Sequence, residues 1–582
     1  MTDMLDLAIR GGSVIDGTGS PARRADVGIR DGRIVAIGEV PPAREDIDAT
    51  GLVVAPGFID VHTHYDAQIF WDPALTPSSN HGVTTVIGGN CGFSIAPLSG
   101  KPDDARYMMR MLSRVEGMPL ESLEQGVPWS WTSFADYLGL IEGKAGINAG
   151  FMVGHSALRR AVMGSRAVGE LATQDEIAEM GRLLAESLAA GGLGLSTTLS
   201  VTHNDADGQP VPSRHAAQEE MFALARVVGE YEGTWLEMVA DTGQPFSEKS
   251  KTIMTEMSRA SGRALNWNLL AANSRHKDLF DAQLSASDYA AERGGRVIAL
   301  AAPHPIGVVL SFEAGMVIDA IPGWAEVIGL PLPQRIMQLS DPAVRRRLNA
   351  TSAAATGTFR EMADWSAWTI VETFEPANKL LEGRTIGWLA SALDKTPIDA
   401  MLDLAISEKL RTRMQPPVHG RDRESWEMRA GAWKDARTVI GGSDAGAHLD
   451  MIDSFAFSTQ VLAAGVREHR LIGLEEAVHQ MTQVPARTFG LRDRGVLAPG
   501  YHADVVVFDP ETIGCGPLHS RADLPGGAAR LYAEPIGIAH VIVNGAPVHR
   551  GAHHTGRLPG KILRSGVDTV TVPVGEPLPE PA

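Results

Sequence analysis

Apolar and polar positions along this chain follow two different periods, and the change between them divides the sequence. Over the first fifty or so residues, short runs at Asp6–Arg10, Gly12–Asp16, Asp26–Arg30 and Arg33–Ile37 alternate and are punctuated by turns such as Asp31-Gly32. Side chains two apart share one face of a strand, so the pattern predicts short strands joined by tight turns. Similar runs return at Ala503–Phe508 and His540–Gly545. A small β-sandwich domain formed from both chain ends, residues 1–55 with 497–565, accounts for both sets. Between them lie eight apolar strand candidates, at Gly57–His64, His81–Cys91, Ile147–His155, Leu193–Thr198, Thr234–Val239, Ala264–Leu270, Arg296–His304 and Thr438–Asp444. Most precede amphipathic helical stretches such as Glu176–Ala189 and Glu219–Tyr231. Strands alternating with helices predict a parallel sheet, and eight such units predict an α/β chain closed into a (β/α)8 TIM-like barrel over 56–496. The interval 306–434 is too long for a simple crossover and reads as an inserted lid subdomain, with helices around Ala343–Leu348 and Ile398–Leu410. The Pro-, Gly- and Glu-rich stretch 566–582 is expected to be a flexible tail.

Composition narrows the partners. With 582 residues, 44% apolar and 21% charged, the chain can bury a large core, and its net charge of −18 repels nucleic acid and anionic membranes alike. A small-molecule substrate is the expected partner, with self-association left open. The first residues, Met1–Asp6, carry acids where a secretory signal needs bases, and no apolar run reaches membrane-spanning length, so a cytoplasmic location is expected. Two cysteines, Cys91 and Cys515, exclude a disulfide framework. Cys515 sits in a Gly-rich stretch and is read as inert.

The chemistry lies at the strand ends. His62 and His64 sit two apart at the end of the first strand, so both imidazoles project from one face, as two ligands of one metal ion must. Asp444 ends the last strand. Other strands finish in Asn90 and Cys91, His155, Ser196 and Thr197, Glu237, Asn266 and Asn268, and His304. Barrel active sites form at this end of the strands, so these groups are expected to converge. Imidazole, thiolate and carboxylate together suit zinc.

The motifs Ala55-Pro56-Gly57-Phe58-Ile59-Asp60-Val61-His62-Thr63-His64, Gly88-Gly89-Asn90-Cys91-Gly92, Gly192-Leu193-Gly194-Leu195-Ser196, Gly442-Ser443-Asp444 and Asp523-Leu524-Pro525-Gly526-Gly527 resemble the amidohydrolase superfamily, and within it the D-aminoacylase (N-acyl-D-amino-acid deacylase) group. The resemblance implies that His62, His64 and Asp444 bind one metal and that Cys91 ligates or bridges to a second, so one or two Zn(2+) ions per chain. It implies hydrolysis of an amide C–N bond, with Asp444 moving protons between water and the leaving nitrogen. The group's histidine ligands on strands five and six are missing: the corresponding stretches are Thr234-Trp235-Leu236-Glu237-Met238 and Leu265-Asn266-Trp267-Asn268-Leu269. Glu237 is therefore expected as a replacement ligand. His155, Asn268, His304 and His448 are expected substrate contacts. The lysine that holds the substrate carboxylate is also replaced, near Ala271, which points to neutral or cyclic amides. A heterocycle deaminase and a catalytically inactive scaffold are the competing readings.

Overall fold

The computed structural model describes residues 4–575 apart from 242, 316 and 356, and the chain is a mixed α/β protein. Both chain ends contribute to one nine-stranded sheet. The strand Val53–Pro56 pairs antiparallel with Val505–Phe508, placing Val54 opposite Val507, and Val505–Phe508 pairs in turn with Ile538–Val543. Alternation explains how the middle strand is buried twice. Val505 and Val507 pack with Leu7, Ile9, Val27 and Ile29, whereas Val506 and Phe508 face Phe58, Val83 and Val86 in the main core.

The eight predicted strand positions are all occupied by parallel strands, in two sheets. Phe58–Asp60, Val83–Gly88 and Asn148–Phe151 form one, and Val153–Gly154, Gly194–Thr198, Trp235–Val239, Leu265–Leu270, Val297–Ala301 and Thr438–Ile440 form the other. Residue 152 separates the sheets, and its N–H donates to Gly88 O at 2.9 Å. At the opposite edges, the N–H of His64 donates to Ala445 O at 2.7 Å and that of Asp444 to His62 O at 3.2 Å. Ile59, Val61, Ile87, Met152, Leu300 and Val439 pack into one cluster, so residues from the first three and last two strand positions meet.

Helices between the strands follow their local chemistry. Gln174–Ala189 starts from a capping box in which the Thr173 side chain accepts from the Glu176 N–H and the Glu176 side chain returns the bond, and it buries Ile177, Met180, Leu184 and Leu188 at helical spacing. The interval between the seventh and eighth strands has its own core, with Phe312, Trp324, Trp365, Trp368 and Met414, and contains the helices Pro342–Ala353 and Pro397–Ser407. Among the described residues no helix is long and apolar enough to cross a membrane.

Two polar features tie the pieces together. The buried Asp504 accepts from Asn148 Nδ2 at 3.0 Å and from the Asn544 N–H at 2.9 Å, and it pairs with the buried Arg494, linking the third strand to the nine-stranded sheet. The stretch expected to be a flexible tail begins as ordered chain: Val570 N–H donates to Gly490 O at 2.8 Å and Thr569 Oγ1 to Gly233 O at 2.7 Å, because backbone left unpaired against this surface would lose water without compensation. Its last part, 576–582, lies outside the described residues.

Two buried histidines make stability depend on pH. His81 contacts Thr459 Oγ1 at 2.7 Å and Ala533 O at 3.1 Å, and burial lowers it to about 4. His549 contacts Ser79 Oγ at 3.0 Å, and burial lowers it to about 3. Above about pH 6.5 both are neutral folded and unfolded, and their contribution is complete; below it only the unfolded chain takes up the protons. Each group then costs about 1.4 kcal/mol per pH unit until the pH reaches its folded value. Denaturant melts between pH 7.5 and 4.5 should show this loss, and His81→Asn should reduce the slope by about one proton.

Candidate metal centre

The first and last strands create the centre. Asp60 Oδ1 accepts the His62 N–H at 3.3 Å, and Ser443 Oγ donates to Asp60 Oδ2, so the residues before each ligand brace one another. His62 Nε2 and His64 Nε2 then both face Asp444 Oδ1, at 3.4 and 3.0 Å. Cys91 Sγ lies 3.5 Å from His62 Nε2. Its loop is fixed by Asn90 Nδ2, which donates to Thr63 O at 3.1 Å and Ile87 O at 2.9 Å, and by Ser196 Oγ, which accepts the Gly92 N–H at 3.0 Å. Cys91, Asp444 and His448 all adopt positive φ, at 56, 57 and 46°. Such backbone costs about 1–3 kcal/mol per residue and persists where surrounding structure imposes it, often at functional sites.

Glu237 belongs to the cluster but faces its other side. Oε2 accepts the Cys91 N–H at 2.8 Å, and Oε1 lies 3.9 Å from His62 Nδ1 rather than Nε2. One oxygen thus holds the cysteine loop, while the other stands beside His62 without a hydrogen bond of its own. Asn268 is brought in as well, with Nδ2 3.5 Å from His62 Nε2 and 3.7 Å from Cys91 Sγ. His448 Nε2 stands 3.7 Å from Asp444 Oδ2.

Two expected substrate contacts lie elsewhere. His155 is fully buried with its Nδ1 2.9 Å from Thr197 Oγ1 and its Nε2 2.8 Å from Glu220 Oε1, and Glu220 also pairs with Arg159 at 2.5 Å. Both ring nitrogens are committed, so His155 supports the scaffold. His304 lines a neighbouring cavity rather than the one at the cluster.

Two residues were not legible in the sequence. Glu116, in the loop after the helix Pro102–Val115, places Oε1 3.6 Å from His64 Nδ1. A single Glu before a Gly in a charged stretch looks like any solvated acid. His203, after the fourth strand, lines the cluster's cavity, with Nδ1 2.9 Å from Thr198 Oγ1 and its ring 5.1 Å from that of Phe93. Its only sequence signal is its place in a loop after a strand end.

The donor set fits a divalent cation. On the side where the ligands converge, His64 Nε2, which makes no hydrogen bond in spite of the nearby Asp444 carboxylate, and Asn268 Oδ1 are buried without a partner, an expense that native cores avoid unless a ligand satisfies it. Two groups of ligand atoms lie within 4.8 Å of one another: His62, His64 and Cys91, and His64, Glu116 and Asp444. Charge points the same way. Burial pushes Glu237 up to about 8. Burial opposes charge on His64 too, but Glu116 and Asp444 outweigh it and bring that imidazole up to about 10. Burial also works to raise Asp444, yet His62 and His64 hold it well below the usual carboxylate range. The Cys91 thiol is driven well above its ordinary value by burial and by Glu237, so a metal is the partner that would draw off its proton.

Parallel strands whose C-terminal ends gather imidazole, thiol and carboxylate groups around one buried point define a metal-dependent hydrolase centre of the amidohydrolase type. A family profile described as "Amidohydrolase family" matches residues 45–549, and the chain belongs to that family. It is 30% identical to the D-aminoacylase of Alcaligenes xylosoxydans xylosoxydans, over 96% of this chain and 97% of that one. It is 31% identical to the N-acyl-D-glutamate deacylase of the same organism, over 98% and 99%. Among solved structures it is similar to the N-acyl-D-glutamate deacylase of Bordetella bronchiseptica complexed with zinc and a phosphonate mimic of the tetrahedral intermediate. That match has 29% identity and a TM-score of 0.64, covering 97% of this chain and 100% of that one.

Carboxylates on the Nδ1 side of metal-binding histidines fix tautomer and orientation, and their loss commonly weakens metal binding about 10–100-fold. Glu116→Gln and Glu237→Gln should each lower zinc affinity by that order, measured by competition with a chromogenic chelator. Unchanged affinity in both would remove the carboxylates from the metal's support.

Proposed function

We propose that this chain is a zinc-dependent hydrolase of a carbon–nitrogen bond in a small amide, working in the cytoplasm, with the eight strands closed as a (β/α)8 barrel and the 306–434 interval acting as its lid. The observation that carries the reading is the convergence of His62 Nε2 and His64 Nε2 on Asp444 Oδ1, with Cys91 Sγ beside them, at the wall of a cavity of about 200 Å3. The backbone bonds from His64 to Ala445 and from Asp444 to His62 support closure.

His62, His64, Asp444 and Cys91 would hold the ion. A divalent cation in such a site lowers the pKa of a water toward neutrality and polarises the scissile carbonyl. The chain's own groups do the rest. Asp444, kept ionised by its histidine neighbours, accepts the proton of the attacking water and delivers it to the leaving nitrogen. His448, 3.7 Å from Asp444 Oδ2, keeps that carboxylate oriented and faces the substrate across the cavity. His203, lowered to about 3 by burial, stays neutral and offers a polar edge in the same wall. Leu269, Ile306 and Ile452 supply apolar surface that limits water around the reacting bond.

The same wall bears on the substrate. Among the described residues no lysine or arginine lines the cavity at the cluster. Arg159 is committed to Glu220, and Arg275 lies exposed beside His419. A carboxylate adjoining the scissile amide would therefore lose its water without gaining a cation. Neutral amides are favoured over the N-acyl-D-amino acids that the relatives' names point to.

Two measurements test this. Asp444→Asn should lower kcat by ~10²–10⁴-fold or more while the fold, followed by circular dichroism, is kept. In a substrate panel, N-acetyl-D-methionine should be turned over less efficiently than its neutral amide counterpart, and the reverse order would reject the proposed preference.

A further inference from the structure

The motif Asp523-Leu524-Pro525-Gly526-Gly527 stands outside the metal cluster and its cavity, yet the chain that follows it reaches the loop 444–452, which carries Asp444 and His448. Both of those residues sit in left-handed backbone, which neighbours must impose. Three neighbours do so. On one side the His448 N–H donates to Glu116 O, and Gly117 lies so close that a Cβ there would stand 3.3 Å from His448 Cα. The insertion takes the far end of the loop, where Arg413 Nη1 donates to Asp450 O at 2.6 Å and the Val309 N–H to Met451 O at 2.6 Å. Leu449, next to His448, is held from the third side: its carbonyl accepts the Leu531 N–H at 2.6 Å.

Leu531 ends a strap, residues 523–531. Ser122 Oγ donates to Pro525 O at 2.8 Å, and Gly526 packs so tightly that a Cβ there would come within 2.8 Å of Glu121 Cβ. The anchor of the strap is Arg530, buried at 3% exposure. Its guanidinium forks onto Asp523, Nε to Oδ1 and Nη2 to Oδ2 at 2.9 Å each, and it also donates to Thr76 O at 2.7 Å, Thr76 Oγ1 at 2.9 Å and Asp72 Oδ2 at 3.2 Å. Arg530 lines one small space with Asp444, Leu449 and Leu531. A buried charge is an expensive way to hold a strand, since apolar packing does the same at lower cost. What the planar guanidinium adds is direction, because its bonds admit one pose of the strap.

We propose that Arg530 is a positioning residue for His448: by fixing the strap it fixes Leu449, and so keeps the His448 imidazole at its 3.7 Å from Asp444 Oδ2. The proposal rests on the amide-hydrolase reading of the centre. The metal ligands do not depend on the strap, because the bonds from His64 to Ala445, from Asp444 to His62 and from Ser443 to Asp60 hold them separately. Disturbing Arg530 therefore separates metal binding, which stays, from turnover, which falls. A role in stability alone has no such signature and no link to His448.

The test uses the zinc-loaded full-length protein and the best-hydrolysed amide of the substrate panel. Arg530→Lys keeps the charge but not the fork. It should lower kcat by ~10–10²-fold, the scale of a small misplacement at a reacting centre, with zinc content unchanged. Amide hydrogen exchange at 447–452, followed by mass spectrometry, should quicken ~10-fold, as the loss of one well-made hydrogen bond allows. In a His448→Ala background the same substitution should change kcat by less than about twofold, because a residue that acts through His448 has nothing left to position. If Arg530→Lys does not fold, Asp523→Asn, at a partly exposed carboxylate, breaks the fork instead and is read in the same way. The full loss persisting without His448, zinc lost with Arg530→Lys, or exchange at 447–452 unmoved would each overturn the assignment. Failure to hydrolyse any amide would overturn the parent reading instead, and the exchange measurement would still decide whether Arg530 holds the His448 loop.

Discussion

The contact on which this molecule depends is the one between the ends of its first and last strands. Two backbone hydrogen bonds, from His64 to Ala445 and from Asp444 to His62, set the register that brings both imidazoles against a single carboxylate oxygen. Without that register, His62 and His64 would be two side chains on one strand face. With it, they become two sides of a ligand cage, completed from a part of the chain far away in sequence. The Asp60–Ser443 bond just behind the ligands repeats the link with side chains, so the seam is held in two layers.

The seam also concentrates charge that no protein interior accepts cheaply. Asp60, Glu116 and Glu237 are buried around the two histidines, and Asp444 faces them from the cavity side. Isolated carboxylates in such a place would protonate, as the upward shifts of Asp60 to about 7 and Glu237 to about 8 by burial indicate. A bound divalent cation resolves the conflict in one step, since it supplies positive charge and takes up the unsatisfied lone pairs. The positive φ at Cys91, Asp444 and His448 belongs to the same account, because side chains that must point inward from loop backbone require conformations that residues with a Cβ seldom adopt.

How much of this the sequence disclosed depends on how local each signal is. His62 and His64 were legible because a period of two fixes their common face, and Asp444 because it ends an apolar run. The strand positions were legible because continuous burial on both faces leaves a continuous apolar run, although Thr438–Ile440 stops well short of the Asp444 end that its apolar pattern suggested. Glu237 was placed in the right neighbourhood, but which ring nitrogen it faces is a matter of side-chain direction that spacing does not encode. His155 misled because a buried histidine bonded at both nitrogens reads the same in sequence as one open to substrate. Glu116 and Arg429 left no trace, since an acid after one helix and an arginine within another, Arg423–Trp433, have their roles set by packing against distant segments.

The insertion shows why a shared centre need not mean a shared substrate. Its tryptophan-rich core is separate from the main core, so it can hold its shape while its inner edge changes. That edge, together with the residues just past the sixth and seventh strands, forms the cavity beyond Ile306, whose lining includes none of His62, His64, Cys91 and Asp444. The ligand cluster is constrained by seam register, buried charge and strained backbone at once, and a change in any one disturbs the others. The cavity wall is constrained only by space and by the few polar atoms that must find partners. Glu237 and Asn268 stand at the strand-five and strand-six ends inside the ligand cluster, whereas His304 and Arg429 line the cavity beyond it, so the two sets of residues answer to different physical constraints.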